Sequence, residues 1–254
     1  MRQFKLINST GAVFDLMRTD AFLWEPDGLG WGYDTGVADM GEAYIPTETT
    51  ITRPAPSGTM VFAGYTQYTE FLTFIQAGGL VLGYQPLSTD AWRYLDVSAI
   101  IGKNEIKPET GRLLCDISFN GLSHWYETPI TYAADNGRAD IVNGALSSFC
   151  KISIAGAAVD PTWTLYDSTN AVISSGKVTA TIPAGDTLII NSRPRSMEIM
   201  QYDSNGDPVG SVYPYSDFTT ARFITIPPGT GYYILFSDDG GAMGACSVEV
   251  YKRV

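Results

Sequence analysis

Only one stretch of this chain keeps a helical period. In YTQYTEFLTFIQAGG, residues 65–79, the apolar residues Tyr68, Phe71, Leu72 and Ile75 fall at i, i+3, i+4 and i+7. That spacing lays an apolar stripe down one face of a helix. We expect a helix over 67–77, with Thr66 or Thr69 capping its start and Gly78 closing it in the left-handed conformation. Elsewhere the pattern is two-residue alternation or short β-rich blocks broken by turn residues. LLCDISFNGL sets Leu113, Cys115, Ile117 and Phe119 on one face against Asp116, Ser118 and Asn120 on the other. FKLINSTGAVFDL reads as a hairpin turning at Asn8–Gly11. Further strands are expected around 43–51, around 58–62, and in LVLGYQP and WRYLDVSAII, whereas 105–112 reads as an irregular connection. The fold class is therefore mainly β, with one α-helix.

The texture changes after Pro129, where TYAADNGRADIVNGA is polar and carries two Asn-Gly pairs. A boundary near residue 133 divides the chain into domains 1–132 and 133–254, and the last strand is left free to return to the first domain. Beyond the boundary, turns recur at β-sandwich spacing and no helical period survives. In DSNGDPVG, the pair Asn205-Gly206 signals a type I′ hairpin turn. A calcium loop starting at Asp203 would need Gly and Glu where Pro208 and Pro214 stand.

Chemistry is excluded step by step. The three cysteines, Cys115, Cys150 and Cys246, are far apart and form no CxxC, so they read as small core residues in a reduced compartment. The single histidine, His124, rules out multi-histidine metal centres. No nucleophile elbow or phosphate-binding loop occurs. Asp238-Asp239 sits in a glycine-rich loop and gives no convincing acid–base pair for glycan hydrolysis. No catalytic, metal-binding or cofactor-binding residue is expected, and the chain is not read as an enzyme. The net charge of −11, with no clustered basic patch, argues against gripping nucleic acid or an anionic membrane. Neither a signal peptide nor a membrane-length apolar run is read.

The glycine run WEPDGLGWGYD, residues 24–34, is not a nucleotide cradle, because no helical period follows it. Alternate glycines suit an irregular strand that another backbone approaches closely. In the second half, Trp163, Tyr213 and Tyr215 are candidate contacts for a partner or a glycan, and Tyr213-Pro214-Tyr215 is the expected exposed patch.

Three stretches together resemble one family: LINSTGAVFDL, DGLGW and GRLLCDISFNGLSHWYE. They are similar to distal tail proteins (Dit) of long-tailed bacteriophages with non-contractile tails. Trp31 stands where that family usually has Phe and keeps the aromatic character. The resemblance implies a β-sandwich-like, ring-forming N-terminal domain and a C-terminal sandwich like a galectin or carbohydrate-binding module. It further implies a homohexameric ring in the virion tail tip, after synthesis in the host cytoplasm. That ring joins the tail-tube protein to the tail-associated hub protein and gives receptor-binding proteins a platform, with DNA only passing through its lumen. Gly28, Leu29, Gly30 and Trp31 then form a structural motif of the ring-forming domain. The alternative is a freestanding carbohydrate-binding, lectin-like adhesion protein.

Overall fold

The computed structural model describes residues 2–30, 32–39, 44–107, 110–194, 196–217, 223–241 and 243–254. The chain divides into two units, Met1–Trp125 and Tyr126–Val254. This division lies ahead of the boundary expected near residue 133, because Ile130–Ala133 pairs along its length with Ser247–Val250 in the second unit.

The first unit contains β1 (Gln3–Ile7), β2 (Val13–Asp15), β3 (Ala21–Asp27), β4 (Gly32–Asp39), β5 (Tyr44–Thr52), β6 (Ser57–Phe62), α1 (Tyr65–Gln76), β7 (Val81–Gln85), β8 (Arg93–Lys107) and β9 (Arg112–Gly121). Its main sheet runs β2-β1-β7-β8-β9-β6-β3. The long β8 changes partner along its length: Arg93–Asp96 pair with β7, and the pairing with β9 begins at Val97. The two ends of this path come back together, since Met17 bridges Phe22 and the Leu23 N–H donates to the Leu16 carbonyl at 2.9 Å. The alternation in β9 holds: Leu113, Cys115, Ile117 and Phe119 are buried while Asp116 is exposed. Residues 105–107, expected in an irregular connection, continue β8 instead, because Glu105, Ile106 and Lys107 pair with Leu114, Leu113 and Arg112. Among the described residues, β4 and β5 pair only with each other.

The helix packs through its aromatic face. Phe71 is fully buried, with ring centroids 5.2 Å from Phe14 and 5.4 Å from Phe62. Neither threonine caps its start. The N-cap is Gly64 in extended backbone, and Thr69 donates its hydroxyl back to the Tyr65 carbonyl. At the other end Ala77 is the cap, and Gly78 follows in the left-handed region as expected.

The second unit contains β10 (Tyr126–Glu127), β11 (Ile130–Ala133), β12 (Arg138–Val142), β13 (Ser148–Ala155), β14 (Ala158–Val159), β15 (Thr162–Tyr166), β16 (Val172–Lys177), β17 (Thr181–Ile182), β18 (Thr187–Asn191), β19 (Glu198–Tyr202), β20 (Pro208–Ser211), β21 (Thr225–Ile226), β22 (Thr230–Ser237) and β23 (Cys246–Tyr251). One sheet runs β11-β23-β13-β18-β19-β20 and the other β12-β22-β15-β16. Alternate residues of both enter one core: Ile152, Ile154, Leu188 and Val248 from the first, Ile141, Trp163, Leu165 and Ile234 from the second. The last strand, β23, takes its place within the second unit. It lies between β11 and β13, where Val248 and Val250 fill the second core.

Turn chemistry sets the hairpins. Asn136 and Gly137 both have positive φ, and Asp135 and Arg138 exchange backbone hydrogen bonds across them, which is the type I′ pattern. The loop at Asn205-Gly206 is built otherwise, because only Gly206 is left-handed. There the Asp203 carboxylate accepts the backbone N–H groups of Asn205 at 2.8 Å and Asp207 at 2.9 Å. The type I′ expectation gives way to a longer loop closed by that side chain.

Candidate functional site

The glycine run forms a corner between β3 and β4. Just ahead of it the pairing of β3 with β6 shifts register between Trp24 and Asp27, and Glu25 is left-handed. Gly28 has φ +67°, and a Cβ there would lie 2.6 Å from the Ala55 carbonyl oxygen. A side chain is thus opposed both by backbone conformation and by a neighbouring backbone. Gly30 is left-handed too but faces open space. The facing segment is tied down, since Gly121 donates to the Pro54 carbonyl at 2.9 Å and Phe119 to that of Pro56 at 2.7 Å. A recess of about 250 Å³ is lined by Gly28, Leu29, Gly30 and Gly32 on one side and Thr52–Ala55 on the other. Leu29 is half-buried, and Trp31 lies outside the described residues. A strand follows the glycines, where a nucleotide site needs a helix N-terminus.

The three aromatic candidates of the second unit separate. Trp163 is fully buried in the sandwich core, and a Cβ on Gly176 would run into its indole. It therefore cannot contact a glycan or a partner, which corrects the expectation placed on it. The alternating pattern of TWTLY points Trp163 inward with Leu165, and the glycine opposite makes room for the ring. Tyr213 and Tyr215 flank Pro214 on a short helical turn and are exposed, at 38% and 58%. Tyr166 and Tyr233 stack as a cross-strand pair at 5.0 Å under Arg138.

The outer face of the larger sheet carries a group that the sequence reading did not single out. Lys151 on β13 lies opposite Glu249 on β23, with Nζ 2.6 Å from Oε2. On β19 the Tyr202 hydroxyl donates to Glu198 Oε2 at 3.2 Å. A concavity of about 320 Å³ is lined by Lys151, Thr187, Ile189, Glu198, Tyr202 and Asp203. Partial burial works to deprotonate Lys151, but the hydrogen bond and charge of Glu249 outweigh it and raise its pKa above the ordinary lysine value. Burial, then the Glu198 charge, raise the Tyr202 hydroxyl likewise. The alternation of β13, β18 and β19 points these residues outward, but only strand order reveals that they meet.

The other sequence candidates have structural roles. All three cysteines are free and buried, and burial pushes Cys150 up to about 12. Asp238 accepts the Gly241 N–H at 3.0 Å, and Asp239 pairs with Lys177 at 3.1 Å. Among the described residues no cluster of His, Cys, Asp and Glu could hold a metal ion.

Comparison with known proteins places this architecture. Residues 3–122 match the family model described as distal tail protein, N-terminal domain, a span within the first unit. The similarity in fold covers the whole chain. A chain of the phage P2 baseplate, in its activated conformation with strontium, superimposes with a TM-score of 0.78 at 14% identity, covering 100% of this chain and 99% of that one. The same baseplate with calcium gives 0.77 at 14% identity, with the same coverage. The phage SPP1 Dit protein, described as a paradigm of the hub adsorption apparatus of phages that infect Gram-positive hosts, gives 0.63 at 12% identity over 99% of both chains. No curated protein matches by sequence. The matched domain and the shared fold liken this chain to structural components of phage tails and baseplates. The likeness in sequence is thus to the N-terminal domain of distal tail proteins, over residues 3–122.

Proposed function

We propose that this protein forms the distal tail ring that joins a tail tube to the tail-tip hub. The first unit builds a homohexamer between the tail-tube protein and the tail-associated hub protein. The second unit stands at the periphery as a platform for receptor-binding proteins, with Tyr213 and Tyr215 as its contact patch. The protein works by assembly and not by catalysis, in the virion, with DNA only passing through the ring. One observation carries this reading: the distal tail family match falls within a single unit of the fold. The net charge of −11 supports a passage to which phosphate does not adhere, since like charge opposes adsorption. The motif Gly28, Leu29, Gly30 and Trp31 serves the ring-forming unit, and its corner at Gly28 fixes where the chain leaves β3. The test is the mass of the full chain in solution. A ring gives a sixfold mass at high concentration, and a monomer at every concentration tested refutes self-assembly.

A further inference from the structure

We propose that the concavity over β13, β18 and β19 binds a neutral saccharide through one sugar ring. Its volume, about 320 Å³, lies at the small end of ligand pockets. Its lining combines the features that such a ligand needs. Tyr202 and Ile189 offer an aromatic and an aliphatic wall for the C–H face of a pyranose. Thr187 and Lys151 offer hydrogen-bond donors, and Glu198 offers carboxylate lone pairs to sugar hydroxyls.

The polar groups are held before a ligand arrives. Lys151 is fixed by Glu249 at 2.6 Å and Glu198 by the Tyr202 hydroxyl at 3.2 Å, and all four residues are half-buried. Preorganisation of this kind lowers the ordering cost of binding. The charges decide the ligand class. Glu198, Asp203 and the adjoining Glu249 outnumber Lys151 and nearby Arg193, which disfavours an anionic ligand. Asp203 is already committed to its own loop through the N–H groups of Asn205 and Asp207. Neither buried Trp163 nor Tyr213 and Tyr215 line this site, and it does not depend on ring formation.

The experiment is saturation-transfer NMR on the full chain with galactose, glucose and N-acetylglucosamine, followed by titration of whichever responds. We expect transfer to at least one, with a dissociation constant of about 1 mM or tighter. Because the ligand is neutral, that constant should not change when salt is raised. Tyr202→Ala and Glu198→Gln should each weaken binding about tenfold or more. Tyr202→Phe, which keeps the ring but releases Glu198, should weaken binding less than Tyr202→Ala, and Tyr215→Ala should change nothing. A circular dichroism spectrum confirms that each variant is folded. If Tyr202→Ala does not fold, Glu198→Gln decides. No transfer from any of the three sugars overturns the proposal, as does binding that survives Glu198→Gln or weakens steeply with salt.

Discussion

At the scale of single residues, three loops are closed by one device. Asn8, Asp167 and Asp203 each present Oδ1 to the N–H groups two and four positions on: Thr10 and Ala12, Thr169 and Ala171, Asn205 and Asp207. The residue third in line is left-handed in each: Gly11, Asn170 and Gly206. Where the residue is aspartate, the bonds favour the ionised form. Asp167 is held below the ordinary value first by the Thr169 hydroxyl, and Asp203 first by the Asp207 N–H. A depressed folded pKa stabilises above the unfolded value, near pH 4, and that contribution is lost as pH falls through the folded pKa. Asn8 does the same work without a charge. The double variant Asp167→Asn/Asp203→Asn should therefore lose less stability than the native chain between pH 6 and about pH 3, read by urea unfolding. Equal losses would place the proton uptake at other carboxylates. Gly28 gives a second expectation. Gly28→Ala combines a left-handed alanine, at about 1–2 kcal/mol, with a collision against Ala55, so it should destabilise more than Gly30→Ala, where the space is open. Equal denaturation midpoints would refute that ranking.

At the scale of elements, α1 is held by its aromatic contacts and by its C-terminal end more than by its start. Ser9 reaches from the first hairpin loop to donate its hydroxyl to the Ala77 carbonyl at 2.6 Å and its N–H to that of Gly78 at 2.9 Å. These bonds satisfy carbonyls that a helix end leaves open. Phe71 lies at the centre of the packed face, among Phe14 and Phe62. Phe71→Ala should cost about 3–5 kcal/mol, whereas Gln76→Ala, at an exposed position, should stay within about 0.5 kcal/mol. Thermal unfolding of both variants checks the pair, and equal shifts would show that the stripe is not what anchors the helix. The loop clamp at Asn143 is comparable in kind. Its buried amide donates to the Leu146, Ile226 and Pro227 carbonyls at 2.8–3.0 Å. Asn143→Ala should cost about 1–3 kcal/mol by leaving a buried carbonyl unpaired, visible as a lower urea midpoint.

At the scale of the whole molecule, two cores are built from separate stretches of chain, and the family match lies in the first. If assembly belongs to that unit, a truncation ending at Trp125 should still self-associate in sedimentation. A truncation ending at Thr131 would carry half of β11 without its partner β23. If the shorter chain is folded but stays monomeric where the full chain assembles, the second unit takes part in the ring.

Much of this was legible from local pattern. Alternation identified the inward face of β9, the i, i+3, i+4 stripe identified α1 and Phe71, and turn residues marked the first hairpin. Such features depend on neighbours a few positions away, which a sequence displays directly. The resemblance in three short stretches pointed to the family whose N-terminal domain residues 3–122 match. What sequence could not decide depends on partners far along the chain. Trp163 and Tyr202 are both aromatics on alternating strands, yet one is core and the other lines an open concavity. The face to which an alternate residue turns is set by which sheet covers it. Lys151 and Glu249 are likewise distant in sequence and become neighbours only because β13 and β23 are adjacent in one sheet. The boundary moved to Trp125 for the same reason, since β11 belongs with the strand that closes the chain. Composition shifts where exposure changes, whereas a unit ends where its last paired strand ends.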